Sequence, residues 1–545
     1  MTATGTVRRH LLSVPAATAD SDADSADVLS RLRGGWRTDR GFRIGGWTTS
    51  IGLTLIAFLI RFPGLAYPNK IVFDETYYAK DAWTLLHLGY EGSWPDSAND
   101  SIVAGNVNVW TSAGSFIVHP PIGKWLIAMG EQVFGMNSFG WRFPSLVFGC
   151  LLVFITVRLI RRVSRSNLIG GLTGLLLCLD GLDFVMSRIA LLDVFLAFFL
   201  IAAVACLAAD RDWFRDRLAQ HLERYELPDL QRRFGPALMV RPWRIAAGVC
   251  FGLALGTKWN ALYILAAFAL LSLAWDVGAR RLAGARTNPV FGLLRDGIPA
   301  FISLVVLSGL LYVVSWAGWF ATSGGWDRQW GAQNPDAATT KLLGKALASW
   351  VHYQKDIWDF HSGDYIMHAS HTYNAYPGGW LFMIRTIGID AVNDIPPGTN
   401  GCPVDAGQNC LQVISGLGTP LLWWLAAVAF AFSIVWWVGA RDWRFGIMVV
   451  GTLSAWLPWF AVADRPEFFF YAITIIPFTA GGLALTAGLV LGPAASGRRR
   501  FLGGIAIGVM IALIGADFIY IYPLLTDGVL TYSQWLSRMW LRSWI

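Results

Sequence analysis

A chain of 545 residues that is 55% hydrophobic and only 14% charged cannot cover a water-facing surface, so a soluble globule is excluded and a polytopic membrane protein is expected. The net charge of +7 is no nucleic-acid footprint, because it comes from arginine clusters set between apolar runs. These stand at Arg8/Arg9 with Arg31 to Arg43, Arg158 to Arg165, Arg211 to Arg244, Arg280 to Arg295, Arg441/Arg444 and Arg498 to Arg500, at every second connection, which is the positive-inside pattern.

Residues 1–46 hold no apolar signal core with a cleavage site, and SVPAATADSDADSADVLS is polar, so a disordered cytoplasmic tail is expected ahead of a membrane domain at 47–545. The first apolar run, 47–66, is long enough to cross a hydrocarbon core and serves as an uncleaved anchor. Further runs at 139–159, 168–186, 190–209, 243–256, 259–275, 298–320, 419–438, 445–463, 469–490 and 502–524 bring the total to about eleven spans, all α-helical. With the N-terminus inside, two large loops, 67–138 and 321–418, face the extracytoplasmic side, and loops of that length are usually functional. Within the first, WLIAMGEQVFG has helical spacing but is too short to span, which predicts a helix lying in the interface.

Chemistry concentrates in those loops. FDETYYAKDAW places Asp74 and Glu75 at the exit of the first span. Adjacent side chains diverge, so they do not fit a pair of carboxylates flanking one glycosidic bond. One carboxylate suffices as base if the leaving group is a phosphate, which departs without a general acid. The alternative is a solvated loop edge, or an ion pair with Lys70 or Lys80. Arg465, in ADRPEFFFYAI, occupies a very short turn between apolar spans, where a charge is costly unless it binds a phosphate or pairs with Asp464 or Glu467. Lys124, Arg142, Arg188 and Lys258 also lie near the outer ends of spans, where snorkelling would account for each of them.

His119, His361, His368 and His371 all fall on the outer side. HASH lacks HExxH spacing and an acidic or cysteine partner, so hydrogen bonding to a sugar or to the loop backbone is expected, with no metal requirement and no cofactor. GLALGTKW lacks the Lys-Ser/Thr ending of a phosphate loop. Cys150, Cys178, Cys206 and Cys250 sit in apolar runs as small hydrophobes, whereas Cys402 and Cys410 in the polar stretch GCPVDAGQNC are expected to form a disulfide.

FDETYYAKDAW, HPPIGKWLIA, SFGWRFPS, SRIALLDVFLAFF, the HSG…HASHTY loop, GTPLLWW and DRPEFFFYAI, in that order over about 45 to 525, resemble the protein O-mannosyltransferase family, in particular its actinobacterial members. The resemblance implies a GT-C glycosyltransferase of the cell membrane. Such an enzyme moves mannose from a polyprenyl-phosphate donor to Ser or Thr hydroxyls of unfolded or exported polypeptides, met at the secretion translocon, with inversion. It further implies Asp74 as base, Glu75 as a neighbour important for activity, Arg142 as the family's arginine of the next span, and Lys124 and Arg465 at positions suited to the lipid phosphate. His119 and His371 would meet substrate. Implied partners are the lipid-linked donor, acceptor polypeptides and membrane lipids, with no nucleic acid. The second large loop has no room for the eukaryotic β-trefoil insertion, and HTYNAYPGGW keeps Tyr373, Pro377 and Trp380 but not the eukaryotic tryptophan pair.

Two rivals stay open. A related GT-C transferase could move another lipid-linked sugar, such as a pentose, to a glycan or lipid. A transporter would place ionisable groups within broken spans, and Asp180, Asp183 and Asp193 are the residues that fit it.

Overall fold

The computed structural model describes residues 21–34, 39–286, 293–493 and 496–545. Among these, eight helices are long and apolar enough to cross a membrane: Arg40–Arg61, Ser138–Ser164, Asp193–Arg224, Ala261–Leu282, Leu294–Ser315, Pro420–Ala440, Trp443–Val462 and Gly497–Leu525. Three shorter apolar helices, Asn167–Cys178, Pro242–Leu255 and Ile476–Leu491, occupy the other segments read from the sequence. Each is short for a local reason. Asn167–Cys178 stops where the Asp180 side chain accepts the Asp183 N–H at 2.9 Å and starts a separate turn, Gly181–Met186. Pro242–Leu255 opens on a proline and ends ahead of Lys258, and Ile476–Leu491 follows a 3-10 turn, Phe469–Thr474.

Asp193–Arg224 forms the centre of the bundle, with 83% of its apolar window enclosed by protein. Leu294–Ser315 and Gly497–Leu525, at 22% each, lie on the outside. Its neighbour Ser138–Ser164 is started by Asn137, whose side chain accepts the N–H groups of Phe139 and Gly140 at 3.1 and 3.0 Å. A helix at Ile122–Phe134 corresponds to the short amphipathic segment of the first large loop.

Two expectations are corrected. The tail is not wholly without structure: Ser21–Arg33 is helical, Leu32 is buried in a cluster with Phe214, Leu218 and Leu222, and Arg33 pairs with Glu223 at 2.6 Å. Arg40–Arg61 begins well before residue 47, capped by Asp39, while residues 1–20 and 35–38 of that tail lie outside the described residues. Nor is the chain purely helical. The second large loop forms strands β1 (Ile387–Ile395) and β2 (Cys410–Gly416), paired antiparallel, and β2 pairs with the short β3 (Leu530–Thr531). Cys402 and Cys410 are joined, with Cα atoms 5.7 Å apart, and the bridge closes the turn between β1 and β2.

Candidate active site

Six chain segments far apart in sequence converge at one end of the bundle. They are the start of the helix Glu75–Leu88, the stretch before Ile122–Phe134, the start of Asp193–Arg224, the turn between Leu255 and Ala261, the end of the helix Ala338–Ser362, and the turn between Val462 and Phe469. They bring together Asp74, His119, Asp193, Lys258, His361 and Arg465. A cavity of about 510 Å³, the size of a small-molecule site, is lined by the last five of these and by aromatic rings including Trp259, Trp358 and Tyr471.

The two adjacent acids part ways. Glu75 is fully buried and accepts four hydrogen bonds: from Arg142 Nε and Nη2 at 2.8 and 2.9 Å, and from the Val72 and Ala190 N–H groups at 3.1 Å each. Asp74 precedes the helix, and among the described residues its carboxylate has no hydrogen-bond or ion-pair partner. Burial raises its pKa to about 6, against the pull of the Lys258 ammonium and with the Asp193 charge adding to the rise. The residue before it, Phe73, has φ 47, a conformation rarely adopted by a bulky side chain. The Phe468 and Phe470 rings hold Phe73 edge-on at 6.3 and 5.9 Å.

Lys258 bonds Asp193 at 2.7 Å and lies over the Tyr471 ring, 5.3 Å from its centroid. Arg465 Nη1 donates to His361 Nδ1 at 3.2 Å, while His361 Nε2 donates to the Val118 carbonyl at 3.0 Å, a pattern that fixes the neutral tautomer. Burial lowers the His361 pKa to about 4, with Arg465 adding to the effect against the Val118 bond. His119, stacked on His361 at 5.7 Å, is likewise held well below the usual range by burial and then by Lys258. Neither Asp464 nor Glu467 pairs with Arg465 among the described residues, and Arg465 Nε is buried without a partner. Glu467 instead ties the turn to the second large loop through its backbone, donating to Asn374 Oδ1 at 2.9 Å and accepting from Ala375 N at 2.7 Å. Burial pushes its own carboxyl up to about 8, against Arg465.

Several expected site residues are not open to substrate. Arg142 is 1% exposed and spends its donors on Glu75 and on the carbonyls of Leu65, Pro68 and Lys70, so it braces the loop of Asp74 rather than meeting a phosphate. Glu75 is the other half of that strut. Lys124 is equally enclosed, held by Glu91 at 2.8 Å and Asp81 at 3.1 Å. His371 is exposed, its ring edge-on to Phe468 at 4.8 Å, and it does not line the cavity. In return, Lys258 and Asp193 enter the site together, a pairing across 65 residues that spacing alone does not reveal.

The membrane acids that suit a transporter are tied into the framework. Asp183 pairs with Arg61 at 2.8 Å, and Asp180 accepts the Trp423 indole N–H at 2.7 Å. Among the described residues, Asp327, His352 and Asp356 form the one group with ligand atoms close enough to hold a metal ion, and none of them lines the cavity.

Residues 51–323 match the family described as Dolichyl-phosphate-mannose-protein mannosyltransferase. Over 510 residues the chain is 35% identical to a polyprenol-phosphate-mannose–protein mannosyltransferase of Mycobacterium tuberculosis, covering 92% of each chain. The chain belongs to this mannosyltransferase family. A Corynebacterium glutamicum protein of the same name is 32% identical over 514 residues, covering 92% of this chain and 94% of the relative. The fold agrees with the solved structure of the Saccharomyces cerevisiae protein O-mannosyltransferase Pmt1-Pmt2 complex bound to the sugar donor, at a TM-score of 0.68 and 12% identity, covering 95% of this chain and 94% of that one. The mannosyltransferase architecture is thus a multi-pass GT-C membrane enzyme.

Proposed function

We propose that this chain transfers mannose from polyprenyl-phosphate-mannose to Ser or Thr hydroxyls of exported polypeptides, inverting the anomeric carbon. The reading rests on the unpaired Asp74 carboxylate beside Lys258, in a chain aligned over nine-tenths of its length with curated mannosyltransferases.

In the proposed reaction the acceptor hydroxyl oxygen bonds to the anomeric carbon from the face opposite the phosphate. The bond from that carbon to the phosphate oxygen breaks, and the lipid phosphate leaves with the electron pair. Asp74 takes the hydroxyl proton, which a carboxylate ionised above about pH 6 can do at neutral pH. Lys258 and Arg465 meet the phosphate charge with charge-assisted hydrogen bonds in a partly desolvated cavity. His119, kept neutral, lines the same space as a hydrogen-bonding group for the sugar, while His361, with both ring nitrogens engaged, holds Arg465 in place. Glu75 and Arg142 position the loop that carries Asp74. Because protein cations supply the phosphate contacts, a chelator should leave turnover unchanged.

We place the protein in the cell membrane with eleven crossings, the N-terminus cytoplasmic and the cavity extracytoplasmic. The arginine clusters at the end away from the cavity support this orientation. Delivery of acceptors at the secretion translocon belongs to the same reading.

The test is reconstitution of the full chain in proteoliposomes with radiolabelled polyprenyl-phosphate-mannose and a Ser/Thr-containing peptide. Label released from the peptide as mannose by alkaline β-elimination is the expected result. Transfer of a lipid-linked pentose in place of mannose, or solute uptake with no transfer, would overturn it.

A further inference from the structure

A second cavity, of about 780 Å³, opens between Arg40–Arg61, Asn167–Cys178 and Gly497–Leu525. It lies towards the far end of the bundle from Asp74: Thr48 and Thr49 in its wall belong to the first half of a helix whose last residue, Arg61, leads into the Asp74 loop. The walls are mostly hydrocarbon and glycine. A methyl group built on Gly52, Gly504 or Gly508 would meet nothing within 4 Å, so these glycines leave open space rather than allow close helix contact. From Thr48 to Ile56 the groove follows about 12 Å of helix rise, a shape for an extended chain rather than a compact solute.

Among the described residues no charged one lines the groove, but arginines flank one end of it. Asn167, in the wall, accepts Arg161 Nε at 2.5 Å. Leu491, also in the wall, lies between Leu489 and Gly492, whose carbonyls accept from Arg499 at 2.7 Å and from Arg500 at 3.3 Å. No Asp or Glu occurs in residues 40–73, 138–179 or 468–516, the stretches that carry the groove and these arginines, while Asp39, at this same end, is engaged in capping Arg40–Arg61 through the Phe42 N–H.

We propose that this groove holds one anionic glycerophospholipid, with an acyl chain along Gly52, Gly504 and Gly508 and its phosphate at the end marked by Arg161, Arg499 and Arg500. The chain fills space that would otherwise forfeit packing contacts, and the phosphate meets guanidinium groups at the depth where a headgroup sits. A partner transmembrane helix could approach the Gly504/Gly508 spacing. Such a helix would, however, bring no phosphate to the arginines at that end, so the charge distribution favours the lipid. This inference is independent of the sugar transferred.

The experiment is native mass spectrometry of the delipidated full chain, titrated with dioleoyl-phosphatidylglycerol or dioleoyl-phosphatidylcholine. One tightly retained phosphatidylglycerol is expected, preferred by roughly tenfold or more. The groove-filling pair Gly504→Leu and Gly508→Phe should abolish that retention. Should the filled protein fail to fold, Arg499→Gln with Arg500→Gln gives a separate reading: lipid still bound, headgroup preference lost. Equal retention of the two lipids by the unmodified protein would overturn the proposal, as would unchanged retention in a folded, filled variant. A two-chain mass that reverts to one chain on filling would assign the groove to a protein partner and overturn it too.

Discussion

Asp74 and Glu75 share a peptide bond, yet Glu75 accepts four hydrogen bonds, two of them from Arg142, while Asp74, near Lys258 and Asp193 of the cavity wall, has no such partner among the described residues. The same division runs through the cations. Arg142 and Lys124 are enclosed and fully engaged, whereas Arg465 leans on a neutral histidine and keeps a buried nitrogen without a partner. Where charge holds the framework it is paired off. At the cavity the pairing is incomplete: Lys258 keeps Asp193 at 2.7 Å, but Asp74 and the Arg465 Nε have no partner among the described residues, and that unmatched polarity marks the candidate site.

Breaking the framework half should have the largest effect. Arg142→Ala strands the buried Glu75 carboxylate and should cost about 3 to 5 kcal/mol of stability, the range for removing one partner of a buried pair. Thermal unfolding of the purified protein checks this, and an unchanged melting temperature would remove the strut from the account.

Asp74→Asn, on the other side of the comparison, should leave donor binding and folding intact while turnover falls by roughly 100-fold or more. Its melting temperature should equal or exceed that of the unmodified protein. With a folded-state pKa of about 6, above the ordinary carboxylate value, Asp74 costs stability as pH rises towards and through 6, and asparagine removes that cost at neutral pH.

Arg465→Ala should weaken donor binding by roughly tenfold to 100-fold through loss of a charge-assisted contact. Lysine should restore only part, lacking the planar fork. Equilibrium binding of labelled donor to proteoliposomes measures it, and unchanged affinity would move Arg465 to the framework side. The smallest effect on transfer is expected from replacing both Cys402 and Cys410 by serine. So short a closed loop contributes about 2 to 3 kcal/mol at most. Proteolysis near β1 and β2 should quicken while turnover stays close to normal.

The order of the apolar segments was legible in the sequence because lipid imposes one dominant rule on composition, and a helix also forms over the short segment at Ile122–Phe134, whereas their ends were less so: Asp193–Arg224 runs well past the 190–209 read from hydropathy. The exceptions are places where a polar group acts locally, as Asp180 does in starting a new turn, or where a tail segment finds an apolar seat, as Leu32 does beside Phe214. The site was legible only in part. Sequence singles out Asp74 and Arg465 as charges in costly positions, but it cannot tell a charge that is costly and used from one that is costly and paired. Snorkelling would account for Arg142 and Lys124 in the sequence, and their framework role emerges only from their partners, Glu75 at 67 residues' separation and Glu91 at 33. Lys258 was missed for the converse reason: snorkelling accounts for a lysine between two spans unless Asp193 and Tyr471 are seen beside it.

The central claim, that the unpaired Asp74 carboxylate is the base, is tested most directly by the pH dependence of single-turnover mannosyl transfer. Transfer should rise tenfold per pH unit below an apparent pKa near 6 and level off above it, and the residual rate of Asp74→Asn should lack that inflection. The variant is essential because Asp81, buried against Lys124, is also raised to about 6, while His361 at about 4 and Glu467 at about 8 lie outside the window. An inflection near 6 that persists in Asp74→Asn, or an unmodified enzyme whose rate is flat from pH 5 to 7, would contradict the account.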